Sequence, residues 1–306
     1  MKHFLRRLLL IIPVLWAIYT ITFLMVITVP GNPFQQPDRQ MPEGVEQALE
    51  ARYHIEDNWS YYWEYLAGAL RLDFGPSFQY RDWTCTQIIA QALPVSFVLG
   101  VSAILLAVLI GVPVGVISAV RRNSWFDVGS LALVLIGVSL PTFVTGTAFL
   151  LLFAFKLQWL PVGGWGDPWQ LPLPAITLSL PFMAYIARLT RLGMLDVLGS
   201  DYIRTAQAKG VAPRQVVWKH ALKNAFLPVL SYLGPALAMA MTGSFVIEKL
   251  FNIPGLGQHF VNSVLNLDRG LIMGTVLVYS ALLVGMNLLV DMCYALVDPR
   301  VKVSDG

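Results

Sequence analysis

Six runs of 20 residues or more contain no Asp, Glu, Lys or Arg: Leu8–Val29, Pro94–Val120, Val128–Phe155, Pro168–Ala187, Asn224–Ile247 and Leu271–Val290. About 20 apolar residues at ~1.5 Å rise cross a ~30 Å hydrocarbon core. Lipid leaves only helices and closed barrels as spanning structures, and barrel strands are about ten residues of alternating character. Unbroken runs of this length therefore predict an all-α, polytopic membrane protein with six transmembrane helices in a single domain, 1–306. Only 13% of residues are charged, against about 25% in a soluble protein, and the mean hydropathy is +0.63.

The N-terminus, MKHFLRRLLLIIPVLW, is basic and then apolar, like a secretory signal. Its apolar run of 22 residues is too long for a signal core and is followed by Val29-Pro30-Gly31-Asn32-Pro33 rather than a small-residue cleavage site, so it reads as an uncleaved first span. Orientation follows Lys and Arg. With the N-terminus in the cytoplasm, fourteen of the 21 basic residues fall inside, including Arg121, Arg122, Arg188, Arg191, Arg204 and Lys209. The seven outside are Arg39, Arg52, Arg71, Arg81, Lys156, Lys249 and Arg269. Both termini are thus expected in the cytoplasm. The net charge of +3 is accounted for by basic residues beside anionic lipid and calls for no nucleic acid. Cys85 and Cys293, the only cysteines, fall at different membrane depths and form no disulfide framework.

Residues 30–93 form the one large outside segment and hold nine of the 18 acids. Helical pieces are expected at Pro42–Tyr53 and Asn58–Leu70. In the second, Trp59, Tyr62, Trp63 and Leu66 recur at helical spacing, which suits an interfacial helix, a docking surface, or both. A short inside loop, Arg121–Asp127, joins the second and third spans. Pro113, Pro141, Pro181 and Pro235 lie within spans, where bilayer helices tolerate proline.

A phosphate-cradling GxxxxGK[ST] loop is missing, and Gly-Lys occurs nowhere. HExxH, GxSxG and CxxC are missing too. The four histidines, His3, His54, His220 and His259, lie in separate segments and suggest no metal cluster. The chain reads as a non-enzyme with no cofactor of its own. Intramembrane acids mark pathways and ion coupling. Glu248 and Asp291, both near span ends, are the candidate pathway or gate residues, and an ion-coupled secondary transporter is one alternative.

The cytoplasmic segment 195–228 contains RTAQAKGVAPRQVVWKHALKNAFLP, Arg204 to Pro228. Ser200 can cap a helix and Asp201 suits its positive end. Gly210 is a suitable C′ residue, and Pro213 can open a second helix running to about Phe226. On the first helix Tyr202, Thr205, Ala206 and Lys209 share a face. Ala206 and Ala208 permit close approach beside Arg204 and Lys209. Such a surface fits either a protein partner or anionic headgroups.

RTAQAKG followed by HALKNAFLPVL resembles the coupling loop of ABC importer permeases of the peptide/nickel branch, most closely the B-type subunit of oligopeptide and dipeptide systems. FLRRLLLIIPVLWAIYTITFLM, PGNPF, ARYHIEDN, LDFGPSF, GSFVIEKLFNIPGLGQ and YALVDPR extend the resemblance over nearly the whole chain. In place of the general Glu-Ala-Ala triplet stands Arg204-Thr205-Ala206, and Pro228 lies 18 residues after Gly210. The resemblance implies a type I importer permease fold in the bacterial cytoplasmic membrane, forming half of a peptide pathway, with nickel or another small solute as the alternative cargo. It implies a second homologous permease, two ABC ATPase subunits that hold ATP and Mg, and an extracytoplasmic peptide-binding protein as partners. Tyr202, Arg204, Thr205, Ala206, Ala208, Lys209 and Gly210 would carry the ATPase coupling.

Overall fold

The computed structural model describes residues 2–30, 57–80, 82–242 and 245–297, and side chains within these except at 2–9, 291 and 293–297. The helices are α1 (Lys2–Thr28), α2 (Asn58–Ala69), α3 (Cys85–Val120), α4 (Trp125–Ser139) and α5 (Thr142–Phe149, continued by a π segment Leu150–Lys156). Then come α6 (Pro172–Leu198), α7 (Asp201–Ala208) and α8 (213–225: Pro213–Gln215, a π segment Val216–Ala221, and Leu222–Ala225). The last are α9 (Leu227–Thr242), α10 (Phe245–Leu250), α11 (Leu256–Leu265) and α12 (Arg269–Val297). Among the described residues the only β pairing is an isolated bridge, Pro76 to Thr84.

Among the described residues five stretches are long and apolar enough to cross a membrane: Leu10–Thr28, Cys85–Val120, Pro168–Leu198, Leu227–Leu250 and Arg269–Val290. The run expected as the third span is a bent pair, α4 and α5, turned by 106°. Pro141 causes the break. It has no N–H to continue the ladder and disfavours helical backbone at the residue before it; Leu140 is accordingly extended, φ −82° and ψ 128°. Pro13, Pro181 and Pro235 sit inside continuous helices, as does Pro113 in α3. The expected helix at 42–53 lies outside the described residues, and the one expected at Asn58–Leu70 is α2.

The chain divides into two compact units. The first comprises Met1–Ser96 and Pro254–Val284. Its core is aromatic because α1 and α2 place Tyr19, Phe23, Tyr62 and Tyr65 at helical spacing on facing sides. The ring centroids of Tyr19 and Phe23 each lie 5.0 Å from that of Tyr62. Tyr19 donates to the Tyr62 carbonyl at 2.6 Å, and Tyr65 donates to the Gly270 carbonyl at 2.7 Å, so the buried hydroxyls are satisfied. Burial pushes the Tyr65 phenol well above its usual range and keeps it a donor. Cys85, fully buried, points its thiol at the Pro76 carbonyl.

Asp268, also fully buried, organises the loop of this unit. Its carboxylate accepts from the Ser77 hydroxyl, from Phe78 N at 3.1 Å and Gln79 N at 3.3 Å, and from Leu271 N at 3.2 Å. It thereby caps α12 and pins the loop after α2 to that helix end.

The second unit comprises Phe97–Ile253 and Gly285–Gly306. Its centre is α6, which packs against α4, α5, α8, α9 and α10. Two buried polar residues of α6 are satisfied within it, whereas the buried Thr190 hydroxyl has no hydrogen-bond partner among the described residues. Thr177 donates to the Leu173 carbonyl at 2.8 Å and Ser179 to the Ile176 carbonyl at 2.7 Å, inside their own helix.

Candidate functional site

The segment 195–228 folds as an arm of short helices that follows the end of α6. α6 ends at Gly199, and Ser200 takes extended N-cap geometry, φ −79° and ψ 156°. Its hydroxyl does not cap α7 as expected from the sequence; it donates to the Val197 carbonyl at 2.6 Å. Asp201 occupies the first turn, where a negative charge suits the helix dipole. At the far end Gly210 adopts φ +77°, a left-handed position that glycine occupies without strain. The Gly210 and Val211 amides donate to the carbonyls of Gln207, at 2.9 Å, and Ala206, at 3.2 Å.

Two residues attach α7 to the arm. Ile203 is fully buried. The Tyr202 hydroxyl accepts from Asn224 Nδ2 at 2.9 Å and donates to the His220 carbonyl at 3.4 Å, tying α7 to α8. Ala206 is half-buried, while Arg204, Thr205, Ala208 and Lys209 are exposed. Arg204 and Asp201 pair at 3.4 Å with side chains 73% and 96% exposed, a surface pair that contributes little to stability. α8 is joined in turn to α6: a Cβ on Gly193 would lie 2.6 Å from the Ala225 carbonyl oxygen, so the two backbones meet where only glycine fits. The result is a short helix held from behind by Ile203 and Tyr202 and open in front at Arg204, Thr205 and Ala208.

The candidate pathway residues lie on other elements. Glu248 is on α10, fully buried, in a helix that packs on α5 and α6. Asp291 lies on α12, and its side chain falls outside the described residues.

A third cluster was not singled out from the sequence. Asp127, in the first turn of α4, is 2% exposed. Arg191 of α6 reaches it with two parallel bonds, Nε to Oδ1 at 2.7 Å and one terminal nitrogen to Oδ2 at 2.9 Å. The Ser118 hydroxyl, near the end of α3, donates to Oδ1, and Asn123 N donates to Oδ2 at 2.9 Å. Ser130 donates to Ser118 at 3.2 Å, and Ser124 caps α4 by accepting from Asp127 N at 3.3 Å. Asp127 was read only as the end of an inside loop and Arg191 only as an inside charge. The signal available in the sequence was that each stands at the edge of an apolar run, where an unpaired charge is expensive.

Residues 111–303 match the family described as "Binding-protein-dependent transport system inner membrane component". The chain belongs to this family, a multi-pass component of the cytoplasmic membrane. Over 305 residues, 99% of each chain, it is 44% identical to the oligopeptide transport system permease protein OppB of Salmonella typhimurium. It is 42% identical over 303 residues to the dipeptide transport system permease protein DppB of Bacillus subtilis, covering 99% of this chain and 98% of that one. A solved structure of the MetNI methionine ABC transporter in an inward facing conformation superimposes with a TM-score of 0.58 at 20% identity, covering 69% of this chain and 97% of that one. The fold is therefore that of ABC importer permeases.

Proposed function

We propose that this chain is one permease subunit of an ATP-driven peptide importer and forms half of its translocation pathway. The observation that carries this reading is the end-to-end identity of 44% with an oligopeptide permease. The whole chain, 1–306, acts as a single permease domain with both termini in the cytoplasm and residues 30–93 outside. A second homologous permease completes the pathway, an extracytoplasmic binding protein delivers peptide, and two ABC ATPase subunits carry ATP and Mg. The arm 195–228 is the coupling loop. Tyr202 staples α7 to the arm; Arg204, Thr205, Ala208 and Lys209 supply the exposed surface; Ala206 sits at the tight point; and Gly210 sets the turn. Glu248 and Asp291 serve the pathway or its gate. ATP binding can drive the spans only through differential affinity for their two arrangements, and α7 is where that difference is transmitted.

The test is co-purification with transport. A tagged chain should bring ATPase subunits through detergent extraction and, when reconstituted, import peptide. Ala206→Glu adds bulk and charge at a close contact, where overpacking commonly costs about 1–3 kcal/mol. Insertion should persist while ATPase association and uptake are lost. Gly210→Val should act alike, and Lys219→Ala should matter less. Retention of the ATPase with wild-type uptake by Ala206→Glu would remove the coupling role. Glu248→Gln and Asp291→Asn should each slow uptake at normal protein levels; unchanged uptake in both removes the pathway role. Orientation is read separately: a cysteine at Ser124 should be shielded from an impermeant thiol reagent in intact cells, and one at Asn58 should label.

A further inference from the structure

We infer that Asp127 and Arg191 are positioning residues that turn displacement of the coupling loop into displacement of the spans. This rests on the coupling reading of α7 above. Arg191 lies on α6 about two turns before that helix ends at Leu198, and α7 begins at Asp201. A pull on α7 is therefore delivered first to the end of α6. A helix end held only by apolar side chains can slide or tilt before its neighbours follow. Here it cannot, because three attachments converge within a few turns.

The first is the fork between Arg191 and Asp127, which joins α6 to α4 at 2.7 and 2.9 Å. Its planar geometry fixes orientation as well as distance. The second is the Ser118 hydroxyl and the Asn123 amide on the same carboxylate, which join α3 and the turn after it to that point. The third is backbone contact. A Cβ on Gly115 of α3 would lie 2.5 Å from the Ala187 carbonyl oxygen and 3.1 Å from Arg191 N. α3, α4 and α6 thus meet at one polar joint beside one close helix crossing, and α8 closes on the same part of α6 at Gly193. The Asp127 carboxylate is the shared element: it is the acceptor for all three neighbouring segments. Removing it takes away the polar tie of α6 to α4 and α3, while the close crossing at Gly115, α7 and its attachment to α8 stay as they were.

The experiment uses the full complex of this chain with its partner subunits in proteoliposomes. Three quantities are read: retained ATPase subunit, ATP hydrolysed, and peptide imported. Asp127→Asn keeps the shape but loses the charge. It should keep the ATPase bound and hydrolysing, while the ATP consumed per peptide imported rises about tenfold, within the range that substitutions in a coupling network produce. Arg191→Lys keeps the charge but not the fork and should give a smaller rise in the same ratio. A merely structural role predicts that hydrolysis and import fall together at an unchanged ratio, and that result, or an unchanged ratio at full activity, overturns the inference. If Asp127→Asn does not reach the membrane, Arg191→Lys is decided by the same ratio. A wild-type chain that retains no ATPase would instead overturn the coupling reading itself.

Discussion

Two buried carboxylates, Asp268 in the first unit and Asp127 in the second, each sit within a hydrogen-bond network, and the two networks are made differently. Among the described residues Asp268, in the first unit, accepts from neutral donors, a hydroxyl and three backbone amides. All of them belong to the loop it fixes or to the helix it caps. Asp127, in the second, is held by a guanidinium 64 positions away in sequence, with the hydroxyl and amide as supplements. Neutral amides saturate a carboxylate with short-range bonds and fasten a loop locally. A charged fork joins helices that are distant in sequence and resists their sliding. The first arrangement keeps a surface in shape; the second can carry a force.

The largest effect expected from breaking this contrast follows removal of one partner from the charged network. Asp127→Ala leaves Arg191 largely buried, its side chain 16% exposed, without its counter-charge. Loss of one partner of a buried pair costs about 3–5 kcal/mol, and the remaining exposure of Arg191 places this case near the lower end. The half-life of the detergent-solubilised protein at elevated temperature should fall steeply. Asp127→Leu combined with Arg191→Leu should recover most of it, since apolar replacement of a buried pair is often neutral or better. Uptake should not recover with it. Recovery of both would make the pair a stability device and nothing more.

A smaller effect is expected at Asp268. Asp268→Ala orphans the amides of Phe78, Gln79 and Leu271, and each buried unsatisfied group costs about 1–3 kcal/mol. The first two are only part-buried and can turn to water. The consequence should be local opening, because cooperative units within a protein differ in stability. Cys85, fully buried in the same unit, is a ready reporter. In a Cys293→Ser background, Asp268→Ala should raise the labelling rate of Cys85 by roughly tenfold, the equivalent of about 1.4 kcal/mol. Asp127→Ala should change it much less. Equal acceleration by both would show that the two networks support one cooperative unit.

What could be read from the sequence divides along the same line. Charge-free runs located the spans because a bilayer penalises charge residue by residue. α7 was expected at Tyr202–Lys209 and found at Asp201–Ala208, because dipole, turn and glycine preferences act within a few residues. The ends of α2 were likewise local matters. Pro141 breaks its helix, whereas Pro113, Pro181 and Pro235 sit inside continuous ones. Ile203 as the anchor of α7, the Tyr202–Asn224 bond and the Asp127–Arg191 fork all depend on which helices become neighbours. Asp127 carried its local meaning, an acid in a first turn after a capping serine, but its partner lies two spans later. The coupling residues were therefore found by motif, while the joint behind them needed the structure.

The smallest expected effect tests a buried group that has neither kind of compensation. His259, on α11 in the first unit, is half-buried with its ring set edge-on to Tyr80 at 5.9 Å, and among the described residues its buried Nδ1 has no hydrogen-bond partner. Burial lowers its pKa below the usual histidine value. The fold therefore favours the neutral ring, and the unfolded state binds a proton more readily. By linkage, the stability this group contributes is fully present above the ordinary histidine pKa and is lost as pH falls through the lowered folded value. Lowering the pH below the usual histidine range should open the first unit modestly, by less than Asp268→Ala does. His259→Phe should abolish that response. Comparing Cys85 labelling in the two proteins at each pH, both in the Cys293→Ser background, cancels the pH dependence of the thiol itself. A labelling ratio that stays flat across the histidine range would mean that the proton is accommodated in place, with the ring turning its Nδ1 to water rather than loosening the helices around it.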